Sequence, residues 1–125
     1  MTQALTDTST LIDVLRNYPP ARTWFATQTD LGLSVVAYME VLAGARTRLE
    51  QQNALKFLAP FELFFLNEED FRWAMEAQIS FSLAYGISVA DLLIASLHLR
   101  LQIPLYSRNL KHFRPLLGNL VISPY

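Results

Sequence analysis

Three acids stand out by position: Asp7, Glu40 and Asp91. Asp7 closes a short apolar segment, Ala4-Leu5-Thr6. Glu40 falls one turn into an apolar helix that follows a Val/Leu-rich stretch, Leu31 to Val36. Asp91 falls one turn into a helix opened by Ser88. Three carboxylates brought together repel one another unless cations neutralise them, which is the condition for a site that holds a hard divalent ion. Each acid also has a plain structural reading. Ser88-Val89-Ala90-Asp91 and Thr10-Leu11-Ile12-Asp13 both match the loose capping-box pattern, and acids in a first helical turn gain from the helix dipole without any catalytic duty. Asn67-Glu68-Glu69-Asp70 has the same arrangement. Spacing alone does not make the three acids converge.

Composition narrows the chemistry. The chain has 125 residues, 52% hydrophobic and 17% charged, which suits one domain over residues 1–125 and excludes general disorder. It has no cysteine and two histidines, His98 and His112. Thiolate metal sites, disulfides and cysteine nucleophiles are therefore excluded, and any metal is held mainly by oxygen, as magnesium, manganese and calcium are. Met1-Thr2-Gln3-Ala4 lacks the pattern of a secretory signal, and Asp91 and Arg100 interrupt the most apolar late stretch. The expectation is a soluble cytoplasmic protein with no membrane partner. Charge is uneven: all 11 acids lie within residues 1–91, while residues 92–125 carry Arg100, Arg108, Lys111 and Arg114. That basic end reads either as a solvated face or as an anchor for phosphates.

The elements that position these residues follow from periodicity and punctuation. Expected are a strand at Ala4–Thr6, a helix capped by Thr8-Ser9-Thr10, a helix from Pro20 to about Thr27, and a buried strand at Leu31–Val36. Helices over Ala37–Ala43 and Thr47–Leu58 come next, then a strand at Phe61–Leu66. Asn67 caps a long helix ending near Gly86, and Ser88 caps the next, through about Leu101. Pro104-Leu105-Tyr106 opens a strand, Asn109 caps a brief helix, and Leu120–Ile122 is a last strand. Alternating apolar strands and helices argue for an α/β fold with a mainly parallel sheet covered by helices on both faces. Ligands of such sheets bind outside the carboxyl ends of the strands. Asp7 and the run Ser107-Arg108-Asn109 both fall there.

Four blocks carry a family resemblance: Leu5-Thr6-Asp7-Thr8-Ser9-Thr10-Leu11-Ile12-Asp13, Ser34-Val35-Val36-Ala37-Tyr38-Met39-Glu40-Val41-Leu42-Ala43-Gly44-Ala45, Gly86-Ile87-Ser88-Val89-Ala90-Asp91-Leu92-Leu93-Ile94-Ala95 and Pro104-Leu105-Tyr106-Ser107-Arg108-Asn109-Leu110-Lys111-His112-Phe113. In this order they resemble a PIN domain, and the short length resembles VapC-type toxins of prokaryotic toxin–antitoxin pairs. The resemblance implies a Mg²⁺- or Mn²⁺-dependent endoribonuclease in which Asp7 and Asp91 hold the main ion and Glu40 ligates it or orients a bound water. It implies that Ser9 supports the first acid by hydrogen bonding. The family often has a further acid in the closing block; here Asn109 and His112 stand in that region, and Asn109 offers a carbonyl oxygen without charge. Arg108 and Lys111 are candidates for the RNA backbone. A homodimer and an antitoxin occupying the active-site groove are implied as well. The alternative is a PIN-like module that binds RNA or a partner without cutting. A receiver-type signalling domain fits poorly, because the third strand ends in Leu66-Asn67 rather than in an acid.

Overall fold

The computed structural model describes residues 2–125. Five short strands, β1 (Ala4–Thr6), β2 (Leu31–Ser34), β3 (Glu62–Phe64), β4 (Leu105–Tyr106) and β5 (Val121–Ile122), form one sheet in the order β3-β2-β1-β4-β5, all parallel. Parallel neighbours need helical crossovers. These are supplied by α1 (Thr8–Leu15), α2 (Pro19–Ala26), α3 (Val35–Ala43), α4 (Arg48–Leu58), α5 (Glu68–Tyr85), α6 (Val89–Leu101) and α7 (Leu110–Leu117). The fold class is the expected α/β arrangement.

The chain works outward from β1 through β2 to β3. It then crosses back by way of α5 and α6 and inserts β4 on the other side of β1. Strand order therefore reverses between β1 and β4, where an open parallel sheet leaves a crevice at its carboxyl end. Leu5 pairs with Leu105 and Thr6 with Tyr106. One step further along that register brings Asp7 beside Ser107.

Boundaries differ from expectation at instructive places. Val35 and Val36 are not strand but the first turn of α3, because the Ser34 hydroxyl accepts the Ala37 N–H at 3.0 Å and ends β2. Asp7 itself, rather than Thr8, Ser9 or Thr10, caps α1. Asn109 stands at the start of α7, but its side chain makes no cap hydrogen bond there. Asn67 and Ser88 cap α5 and α6 as expected, and α5 stops at Gly86, whose φ of 67° a side chain would resist. Gly32 answers to packing: a Cβ there would lie 2.8 Å from the Phe64 ring and 2.9 Å from Leu5.

Two buried clusters hold the sheet. Leu11, Leu33, Ala37, Val41, Ala54 and Leu58 join β2 to α1, α3 and α4. Ile94, Ala95, Leu105, Phe113, Leu117 and Val121 join β4 and β5 to α6 and α7. The second cluster fixes α6 and α7 against the strands that flank the crevice, which sets the positions of Asp91 and His112. Among the described residues, no helix is long and apolar enough to cross a membrane.

Candidate metal centre

Asp7 follows β1 directly and is 3% exposed. Its N–H donates to the Tyr106 carbonyl at 3.1 Å, so backbone pairing to β4 fixes its position. One carboxylate oxygen, Oδ1, accepts the Thr10 N–H at 3.0 Å; the other, Oδ2, accepts the Ser107 hydroxyl at 2.6 Å. Ser107 Oγ in turn accepts the Asn109 N–H at 2.9 Å. Ser9, expected to support this acid, is exposed, and its place is taken by Ser107 and the Thr10 amide. The reason is helical direction: with Asp7 as cap, the amide of Thr10 points back at it, while the Ser9 side chain turns outward. In the sequence Ser107 stands out only as the residue after the expected strand Pro104-Leu105-Tyr106. Its partner became visible only with the strand order.

Burial pushes the Asp7 carboxyl above the usual carboxylate pKa, and the charge of Asp91 adds to that; the Ser107 hydroxyl and the Thr10 N–H pull the other way and do not prevail. Asp7 and Asp91 are thus near enough to feel each other. Asp91 sits in the first turn of α6, 19% exposed, with its N–H donated to Ser88 Oγ at 3.1 Å. Its Oδ2 lies 3.1 Å from His112 Nδ1, and that nitrogen lies 3.0 Å from the Asn109 side-chain amide. Glu40, half-buried on α3, accepts the Thr8 hydroxyl at 2.7 Å, the residue next to Asp7.

A chain of short polar contacts therefore runs from Asp7 through Ser107 and Asn109 to His112 and Asp91, with Glu40 tied in at Thr8. This is a looser assembly than three converging carboxylates: among the described residues, no three His, Asp or Glu side chains come together as an ion cage. The donor set of carboxylate, amide and one imidazole suits magnesium or manganese, which accept one or two protein carboxylates and retain water.

Arg108 and Lys111 are both exposed. The Arg108 guanidinium lies 5.1 Å from the centre of the Tyr125 ring and 6.0 Å from that of Tyr18, so aromatic faces orient it. Asp13 is no metal ligand in this arrangement. It accepts the Tyr125 hydroxyl at 2.7 Å, and burial together with that bond raises the Tyr125 pKa.

Close by, Glu40 edges an apolar groove of about 540 Å³ lined by Val36, Met39, Phe65, Phe71 and Leu93. Along α5, Phe71, Met75, Ile79 and Leu83 recur every fourth residue and are all exposed, Leu83 at 99%.

Solved structures share the architecture. A chain of a toxin–antitoxin complex from Klebsiella pneumoniae is 24% identical, with 98% of each chain covered and a TM-score of 0.80. A DNA-bound VapBC from Salmonella typhimurium is 20% identical over the whole of both chains, also at 0.80. FitAcB from Neisseria gonorrhoeae is 19% identical over 97% of each, at 0.73. Likeness at these identities speaks for the fold. No curated protein sequence matches the chain significantly. The PIN domain model matches residues 4–114, from the strand that precedes Asp7 to the helix that carries His112. With its acids at the switch point of a five-stranded parallel sheet and that match across most of its length, the chain belongs to the PIN domain family.

Proposed function

We propose that the chain is a Mg²⁺- or Mn²⁺-dependent endoribonuclease, one domain over residues 1–125, and the cytoplasmic toxin of a VapBC-type toxin–antitoxin pair. The observation that carries this reading is Asp7: a carboxylate sealed into the switch-point crevice, penalised by burial and by the charge of Asp91. Such a group is poised to take up a cation, because an ion relieves both penalties. Family membership and the toxin–antitoxin assemblies among the similar structures support the same reading.

Asp7 and Asp91 would hold the ion, with Glu40 beside them and Asn109 as a further oxygen donor. The ion, when bound, lowers the pKa of a water and stabilises charge on the attacked phosphate. The chain's own part is positioning. Thr10 and Ser107 hold Asp7 with both oxygens engaged, so the carboxylate does not rotate away. Thr8 holds Glu40 toward the same mouth. Arg108, oriented by Tyr18 and Tyr125, and Lys111 in the first turn of α7 offer cations for the RNA backbone, which makes binding salt-sensitive. The exposed α5 stripe suits a homodimer, and the groove beside Glu40 suits an apolar antitoxin segment.

The test is cleavage of a mixed RNA pool by the purified chain. Activity is expected with Mn²⁺ or Mg²⁺, none with EDTA, and none from Asp7→Asn. The looseness of the acid cluster favours one competing reading, a PIN-like module that binds RNA or a partner without cutting. Metal-dependent RNA binding with no cleavage would establish it instead.

A further inference from the structure

Near Asp7, two polar contacts converge on a single ring nitrogen that carries at most one proton. His112 Nδ1 lies 3.1 Å from Asp91 Oδ2 and 3.0 Å from the Asn109 side-chain amide nitrogen. In a neutral imidazole each ring nitrogen either donates or accepts. If Nδ1 accepts from the Asn109 NH₂, its lone pair faces the Asp91 carboxylate, and two acceptors stand 3.1 Å apart with no proton between them. If Nδ1 donates to Asp91, it also confronts the Asn109 NH₂, donor against donor. That amide must then turn its oxygen inward, and one proton is shared between two oxygens. A cation resolves the conflict outright, since Nδ1, the carboxylate and the turned amide oxygen all present lone pairs. The 3.1 Å separation also matches the roughly 3 Å expected between neighbouring ligands of an octahedral ion with bonds of about 2.1 Å.

We propose that His112 Nδ1 and Asp91 Oδ2 form a mixed nitrogen–oxygen pair that joins Asp7 in binding the divalent ion of this crevice, with Asn109 turning its amide oxygen to it and water completing the shell. The inference rests on the metal-dependent reading of the site and deepens it by naming which ion the site prefers. Magnesium favours oxygen donors, whereas an imidazole nitrogen ranks first-row transition ions above it. Nitrogen in place of a carboxylate also removes a negative charge, which weakens the hold on a hard cation most. The centre therefore favours Mn²⁺ over Mg²⁺. That among the described residues no three His, Asp or Glu side chains form a cage agrees with an ion whose remaining positions are filled by water.

The test combines calorimetry and pulsed electron paramagnetic resonance on the whole chain. Mn²⁺ bound to the natural protein is expected to show ¹⁴N hyperfine coupling, replaced by the ¹⁵N pattern when histidine alone is ¹⁵N-labelled. His98 does not confuse the assignment: it is fully buried, and its Nδ1 is engaged by the Ile103 carbonyl. His112→Ala is expected to lose the coupling and to weaken Mn²⁺ binding by about tenfold or more. His112→Asp is expected to recover Mg²⁺ binding and lower the Mn²⁺/Mg²⁺ preference by about tenfold. Melts in EDTA report whether each variant folds, and the labelled natural protein decides the question if a variant does not. Bound Mn²⁺ without histidine coupling overturns the proposal, as does His112→Ala with affinity within about twofold of the original, or no Mn²⁺ binding at millimolar concentration. The nuclease reading fails separately. Cleavage in Mn²⁺ without nitrogen coupling sinks only the His112 assignment; nitrogen coupling with no cleavage sinks only the nuclease.

Discussion

Asp70 and Asp91 begin from the same local design and end in different roles. Each is the third residue of its helix, three after a polar cap, and each gives its N–H to that cap: Asp70 to Asn67 at 2.9 Å, Asp91 to Ser88 at 3.1 Å. Asp70 then reaches back to the Asn67 N–H at 3.0 Å, completing a capping box. Arg100 closes over it with Nε 2.9 and 3.1 Å from the two carboxylate oxygens and Nη2 at 3.0 Å. The same guanidinium donates to the Phe65 carbonyl at 3.3 Å. Asp70 is left 1% exposed. Asp91 has no guanidinium opposite it. It turns to His112 and Asn109 and stays 19% exposed. Helix α6 carries Asp91 at its start and Arg100 at its end, so one helix supplies an acid without a strong cation and a cation that neutralises another acid. A cap-x-x-Asp pattern does not by itself make a structural or a functional carboxylate. What a distant element places opposite it decides, because a buried charge needs a bonded counter-charge while a partly open one is free to take up an ion.

The largest effect that sharpens this contrast is on Asp91. Asp91→Asn is expected to lower RNA cleavage by about a thousandfold, the scale of the several kcal/mol a bound metal contributes. Denaturant melts in EDTA should show stability unchanged or raised, since one repelling charge beside Asp7 is gone. A destabilised variant that still cuts would make Asp91 a cap like any other. Next comes Arg100→Met, which strands the Asp70 charge. It is expected to cost about 3 kcal/mol, the lower end for breaking a buried pair because Arg100 is 30% exposed. Calorimetric Mn²⁺ affinity of the folded protein should not change. A lost metal site would show that the two acids are not independent.

A smaller effect comes from His98, also near the end of α6. Its burial lowers the pKa to about 4 from 6.5. The unfolded chain thus binds a proton that the folded one refuses. Stability is full above about pH 6.5 and falls toward pH 4, by roughly 2 kcal/mol at pH 5. Urea melts of Asp91→Asn should keep this fall, since His98 and its burial are untouched, while any difference in slope from the natural protein reports Asp7, whose raised pKa owes part to the Asp91 charge.

Residues 4–6, 67–86 and 88–101 were legible as elements because their signals are local: an apolar run, a polar cap, a glycine where φ turns positive. The candidate acids were legible for the same reason, since each lies at or one turn beyond a strand or a cap. The extent of β2 was not legible, because Val35 and Val36 have strand propensity and a single hydroxyl, Ser34, outweighs it by capping α3. Nor was the support of Asp7, which comes from Ser107, 100 residues away. The sequence alone determined the supply of chemistry: oxygen donors, no thiolates, and one histidine in the closing block. Tertiary structure alone decided how it is used. Inserting β4 beside β1 set Ser107 on Asp7, docking α7 on α6 set His112 on Asp91, and Arg100 closed over Asp70. These are contacts between distant segments, and their energies depend on burial and on the partner's charge, quantities that exist only once the chain is folded.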